Sequence, residues 1–175
     1  MFDCIRENKL VLFKTTKGNF QVKLNAENYP VTVTNFLKNI KNNIYKNKRF
    51  YKIINYSQVR IIHSGIHQEK SPISNEKLTS IPLEIGLKKR FEPKYNYPVK
   101  DPSEIEDIKN IFQRGSISMV KRGERNSSST EFFFVTNKIP ELDGRYSIFG
   151  KIVKGIDVLD KIDKKDFIYE IKISN

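Results

Sequence analysis

The chain has 175 residues, a formal net charge of +12, 38% hydrophobic and 11% aromatic residues, and one cysteine. That length suits one domain with its own core, and the apolar content excludes a disordered chain. It contains no apolar run of 18 residues and no apolar leader stretch after Met1, and Cys4 alone excludes an internal disulfide framework or a cysteine-based zinc cluster. The expectation is a single domain over residues 1–175 in a reducing, cytoplasmic setting, with no membrane attachment. The positive excess suits a nucleic-acid or other anionic partner. It has a second explanation: Lys, Ile and Asn together exceed a third of the chain and Ala26 is the only alanine, as AT-rich codons would produce.

Residues 10–15 and 19–24 are extended runs around Lys17-Gly18, and Phe20, Val22 and Leu24 alternate with Gln21 and Lys23. Period-two alternation predicts a β-hairpin with one buried face. A helix follows. Pro30 fits its first turn, and Val33, Phe36, Leu37, Ile40 and Ile44 form one apolar stripe. Residues 50–54 and 59–62 read as strands, residues 66–80 as a polar loop, and residues 81–85 as a short edge strand because of Pro82. A second helix is expected from Asp101, with Pro102 at its first position and Glu104 completing a capping pattern. Ile105, Ile108, Ile111 and Phe112 would give its apolar face. Residues 116–120, 131–136, 147–153 and 167–173 are further strands, Asp143-Gly144 marks a turn, and Ile156, Leu159 and Ile162 mark a short helix after Gly155.

About eight short strands with irregularly placed helices do not fit the alternating rhythm of a parallel sheet. A mainly β fold, with a closed eight-stranded antiparallel barrel capped by two to three helices, fits better. The run Phe132-Phe133-Phe134 sharpens this, because neighbouring strand residues face opposite sides and both sides must then be covered. Barrel core covers one side. A ligand groove or a packed loop covers the other.

These stretches also resemble one family. Tyr29-Pro30-Val31-Thr32-Val33-Thr34-Asn35-Phe36 is similar to the proline-to-asparagine-phenylalanine helix of cyclophilins. Phe50-Tyr51-Lys52-Ile53-Ile54 resembles their phenylalanine-histidine-arginine strand, and Gly115-Ser116-Ile117-Ser118-Met119 the strand before the active-site loop. Thr130-Glu131-Phe132-Phe133 resembles their serine-glutamine-phenylalanine-phenylalanine strand. The segment from Leu142-Asp143-Gly144 to Phe149-Gly150-Lys151 resembles their leucine-aspartate-glycine to phenylalanine-glycine-lysine segment. The resemblance implies a helix-capped antiparallel barrel and cofactor-free cis-trans isomerisation of the peptide bond before proline, with a non-catalytic proline-peptide-binding or chaperone-like module on the same fold as the alternative. Proline-containing peptides and unfolded or flexible protein segments would be the partners.

The chemistry fits such a site. Peptide rotation has a barrier of about 18–20 kcal/mol, and X–Pro bonds isomerise unaided in tens to hundreds of seconds. A catalyst needs no nucleophile and no metal. It must hold the proline ring and place a fixed cationic donor at the pyramidalised nitrogen of the twisted amide. The resemblance puts Lys52 where the family has that arginine. Lysine keeps the charge and loses the planar fork, so weakened activity is expected. The resemblance assigns substrate contact to Ile61, His63, Met119, Glu131, Phe133, Leu142 and Tyr146, and to the backbone at Val120 and Lys121. Phe133 and Leu142 match the proline pocket, and His63 and Glu131 match glutamines. Glu131 is expected to pair with Lys52 or Arg60, in competition with substrate. Arg60 stands where an aromatic residue is usual, and Glu141 where some members carry tryptophan, which argues against cyclosporin-type ligands.

Three other constellations carry less. His63 and His67 have a zinc-like spacing, but Gly65 lies between them and no cysteine is near. Ser64 and His63 are strand neighbours that point apart, which argues against a hydrolase triad. Lys88-Lys89-Arg90 with Tyr95 and Tyr97, and Lys121-Arg122 with Arg125, are basic clusters of the kind that meets single strands. No RNA-binding signature accompanies them, so a solvated surface is preferred. Ser127-Ser128-Ser129 reads as a flexible loop.

Overall fold

The opening alternation forms the expected hairpin. In the computed structural model, which describes residues 4–67 and 80–174, β1 (Lys9–Thr15) and β2 (Gly18–Leu24) pair antiparallel from Lys9↔Leu24 to Thr15↔Gly18. Val11, Phe13, Phe20, Val22 and Leu24 turn inward and are fully buried. Helix α1 (Pro30–Lys41) lays Val33, Phe36, Leu37 and Ile40 against them.

The remaining strands are β3 (Lys48–Arg49), β4 (Lys52–Tyr56), β5 (Val59–Ser64), β6 (Ser80–Pro82), β7 (Glu84–Ile85), β8 (Lys94–Tyr95), β9 (Ser116–Arg122), β10 (Asn126–Val135), β11 (Ile148–Lys154) and β12 (Phe167–Ser174). Single-turn helices α2 (Pro102–Ile105) and α3 (Val158–Lys161) complete the set. Ten strands form one curled antiparallel sheet in the order β3-β12-β1-β2-β11-β9-β10-β5-β4, with β6 added to β10, while β7 and β8 pair separately. The fold is mainly β.

The curled sheet and α1 enclose an aromatic interior. Phe13 stacks on Phe20 at 4.8 Å, and Phe132 and Phe134 meet Phe13 edge-on at 6.1 and 5.5 Å. Phe133 belongs to a second apolar cluster on the outer side, with Phe112, Val135, Ile139 and Ile148. Both faces of β10 are therefore covered, the outer one by aromatic and aliphatic packing.

Helix α1 is anchored through its polar atoms as well. Its first amides find no cap on their own segment. Instead Val31 and Thr32 donate to the two carboxylate oxygens of Glu84, at 3.1 and 2.7 Å. Glu84 is fully buried, and desolvation raises its carboxyl pKa above the ordinary value. The positive end of the helix offsets that burial. One turn on, Asn35 and Asn39 both donate to the carbonyl of Ser129, at 2.6 and 2.7 Å.

Several expectations need correction. The helix from Asp101 does begin there, with Asp101 accepting from the Ser103 amide at 2.8 Å, but it ends after one turn. Ile108 is drawn into a bridge with Leu87, and the Phe112 amide donates to Asp143 at 2.7 Å, so tertiary contacts override the helical spacing. Ser127, Ser128 and Ser129 are not a loop. They are buried in β10, where β6 pairs alongside and the register against β9 slips between Ser127 and Phe132. The loop expected over residues 66–80 lies almost wholly outside the described residues. No helix among the described residues is long and apolar enough to cross a membrane.

Replacing Glu84 by alanine leaves two helix amides, the buried Thr32 and the partly buried Val31, without an acceptor. Glu84→Ala is expected to lower unfolding stability by about 1–3 kcal/mol in urea titration. An unchanged midpoint would show that this carboxylate does not anchor α1.

Candidate active site

Strand register builds the site. Lys52 on β4 is paired with His63 on β5, His63 with Phe133 on β10, and Phe133 with Ser118 on β9. Directly paired residues share a face, so Lys52, His63 and Phe133 lie in one row on the outer side of the sheet. The Lys52 side chain is exposed, and its ammonium makes no hydrogen bond or ion pair among the described residues.

Phe133 is the centre of an aromatic stack. His63 lies on it at 5.4 Å and 26°, Phe112 at 5.7 Å and 20°, and Tyr146 meets it edge-on at 5.4 Å. Phe133 itself is only 2% exposed, so the apolar surface offered to a ligand comes from the half-buried Ile61, Val120, Leu142 and Tyr146 around it. Met119 does not join this face. It is paired with Phe132, points inward and is fully buried in the interior cluster.

The His63 ring is held neutral. Burial, and then the nearby Lys52 charge, push its pKa down to about 4. Its Nε2 is buried without a hydrogen-bond partner. A buried polar atom without a partner is a departure from ordinary packing, and the imidazole contributes to the row as a flat ring on Phe133.

Glu131 lies two residues before Phe133 and is 2% exposed. Its pairing differs from the expected one. One carboxylate oxygen accepts from the Tyr51 hydroxyl at 2.9 Å and meets His67 Nδ1 at 2.7 Å, and the other takes the Arg122 guanidinium and the Ser128 hydroxyl. Arg60 is occupied elsewhere, donating to the carbonyls of Asp160 and Ile162 at 2.7 and 2.6 Å. Glu131 therefore bonds to neither Lys52 nor Arg60. Burial and the Glu131 charge hold the Tyr51 phenol well above its ordinary range. Gly65 lets this corner close: at φ +107°, a side-chain Cβ there would lie 2.3 Å from the Thr130 carbonyl oxygen. His63 and His67 both lie against Tyr51, at 6.1 and 4.7 Å, with His63 stacked on Phe133 as well, and no group of three metal-ligating side chains forms among the described residues.

The Val120-Lys121 backbone borders the same surface. β9 pairs with β11 only over Ser116, Ile117 and Ser118, and the Met119 amide then reaches Ser147 at 3.3 Å. Beyond that point β9 runs past the start of β11. On that side Val120 and Lys121 have no strand partner among the described residues. An unpaired strand edge beside an apolar patch can take an extended peptide through backbone bonds.

The chain matches the family model for cyclophilin type peptidyl-prolyl cis-trans isomerase/CLD over residues 10–174. A peptidyl-prolyl cis-trans isomerase of Helicobacter pylori is 30% identical over 164 residues, covering 93% of this chain and 85% of its own. A crystal structure of a cyclophilin-type isomerase from Cryptosporidium parvum superposes with a TM-score of 0.67 at 24% identity, covering 97% and 99% of the two chains. A second structure of that protein, in the presence of the dipeptide Ala-Pro, gives 0.66 at 24% identity over 95% and 99%. The chain belongs to the cyclophilin-type peptidyl-prolyl cis-trans isomerases, and its activity is cis-trans isomerisation of the bond before proline.

Four residues that the sequence pattern does not point to also build this corner: Phe112, Tyr51, His67 and Arg122. Phe112 was placed on a helix face, and Tyr51, His67 and Arg122 had no assigned role here. Only Arg122 left a signal, as a cation near a carboxylate across one hairpin.

The buried neutral His63 has a pH signature. In the unfolded chain it takes up a proton near pH 6.5, whereas in the folded chain it does so only near 4. The folded state is therefore undiminished above about pH 6.5 and loses stability as pH falls from 6.5 towards 4. Urea titrations at pH 7 and 5 are expected to show a smaller acid loss in His63→Gln than in the parent. Equal losses would contradict the buried neutral ring.

Proposed function

We propose that isomerisation takes place on the outer row Lys52–His63–Phe133, with the peptide laid along the Val120-Lys121 edge of β9. The single observation that carries this reading is the register that sets a free cation, a neutral imidazole and an aromatic stack in line beside an unpaired strand edge. The proline ring packs on Ile61, Leu142 and Tyr146 over the stack. Lys52 Nζ donates to the prolyl nitrogen as that nitrogen turns pyramidal, and so favours the twisted amide over either planar form. The Tyr146 phenol is the polar contact for the swinging carbonyl.

Lysine in this role implies weakened turnover. An ammonium on a flexible stem is less preorganised than a guanidinium fork, and Lys52 is exposed, so water screens its charge. The substrates are proline-containing segments of flexible or unfolded protein. In support, the Cryptosporidium parvum structure was obtained with Ala-Pro present. Glu141, exposed at the rim, argues against cyclosporin-type ligands.

The reading also takes the curled sheet as a closed barrel formed by one domain. In support, the terminal strands of the sheet are chain neighbours. β3 pairs with β12, β4 pairs with β5, and only Phe50 and Tyr51 separate them, with the Phe50 amide donating to Asp166 at 3.0 Å.

A protease-free isomerisation assay on a short X-Pro peptide tests the assignment. Lys52→Ala is expected to lower kcat/KM about tenfold or more, and Lys52→Arg to raise it. Rates unchanged in both variants would remove Lys52 from the reaction.

A further inference from the structure

Strand β4 presents an apolar strip beside the prolyl surface. Lys52, Ile54 and Tyr56 alternate onto its outer side, while Ile53 packs against the interior cluster. Ile54 is 37% exposed and Tyr56 57%. Single exposed apolar side chains are ordinary on a protein surface. These two are not isolated. Ile54 is paired with Ile61, which lines the prolyl surface, and Tyr56 with Val59, which belongs to the outer cluster around Phe133. The strip therefore continues the patch formed by Ile61, Leu142 and Tyr146. It does so on the side away from the free edge of β9, since the strands run β9-β10-β5-β4.

Beside Tyr56, a groove of about 240 Å³ lies between the β4–β5 turn and residues 137–141. Tyr56, Val59, Ile139 and Pro140 give its apolar lining. Its walls are tied together: the Arg60 amide donates to the Thr136 hydroxyl at 2.8 Å, and the Thr136 amide to the Arg60 carbonyl at 3.0 Å. The Leu142 amide donates to the Ile139 carbonyl at 3.1 Å, so one wall is the segment that carries Leu142 to the prolyl surface. The charged lining residues, Lys138 and Glu141, are one of each sign and both exposed, and the others are neutral. Charge selects nothing here, and apolar contact is what the surface offers.

We propose that the Ile54–Tyr56 strip and its groove are a subsite for a large apolar side chain of the substrate peptide, on the side of the proline away from β9. The proposal rests on the prolyl site described above. Ile54 lies about 5 Å across from Ile61, and Tyr56 stands two residues further along β4. An extended peptide advances about 3.3 Å per residue, so the apolar residue stands one to three positions from the proline.

The test is a set of peptides with Phe, Ser or Ala at each of those positions, on either side of one X-Pro bond, assayed for kcat/KM. At one position Phe is expected to exceed Ser by about fivefold or more, as for partial burial of an aromatic side chain. The preference should persist at 1 M salt, should fall in Tyr56→Ser, and should be lost in the double variant Ile54→Ser, Tyr56→Ser. Taking the Phe-to-Ser ratio within each protein cancels any common change in rate. A ratio near one at every position, or the same ratio in both variants, would overturn the subsite while leaving the prolyl site standing. Sedimentation of the free protein as a dimer that Tyr56→Ser disperses would overturn it too, because a second copy would then cover the strip. No turnover of the Ala peptide would overturn the prolyl site and the subsite with it.

Discussion

The structure depends on one constraint: β10 must be covered on both faces. Three consecutive phenylalanines cannot all point into one core, because strand side chains alternate. Phe132 and Phe134 complete the interior, edge-on to Phe13. Phe133 is left outside, and the chain builds a second aromatic cluster for it from His63, Phe112 and Tyr146, which lie far apart in sequence. The apolar patch of the candidate site is the rim of that cluster. The fold thus positions the site through packing, and the register of β4, β5 and β10 brings Lys52 to its edge.

The same strand sets the electrostatics. Between Ser127 and Phe132 the register against β9 slips, and α1 holds the displaced carbonyl of Ser129 through Asn35 and Asn39. That slip buries Glu131, and a buried carboxylate is tolerated only with donors around it. Tyr51, His67, Arg122 and Ser128 supply them. Since Glu131 bonds to these groups, it does not bond to Lys52. The cation that the proposed mechanism needs is therefore not neutralised by the nearest buried anion. The net charge of +12 matters here chiefly through where a few of its lysines and arginines lie, and much less as a total.

Much of this was legible in the sequence for physical reasons. Alternation at Phe20, Val22 and Leu24 and the stripe from Val33 to Ile40 are periodic, and periodicity survives folding. The phenylalanine run announced two covered faces. The row Lys52–His63–Phe133 came from resemblance, since register across three strands has no local signal. What failed was decided by tertiary contacts. Ile105, Ile108 and Phe112 have helical spacing, yet a bridge to Leu87 and the carboxylate of Asp143 draw the segment out of the helix. Three serines look like a loop, yet α1 and β6 press them into a buried strand. Glu131 looked like a partner for the nearest cations in the family pattern, while Arg122 reaches it across the β9–β10 hairpin.

In the proposed mechanism, prolyl peptide binds the outer face of β5 and β10 along the free edge of β9. Titration of isotope-labelled protein with an Ala-Pro-containing peptide, followed by amide chemical shifts, tests it most directly. The largest shifts are expected on residues 61–63, 119–121 and 142–146, with β1, β12 and the outer turn of α1 unmoved. Shifts centred on β1, β12 or α1, with residues 119–121 and 142–146 silent, would contradict it.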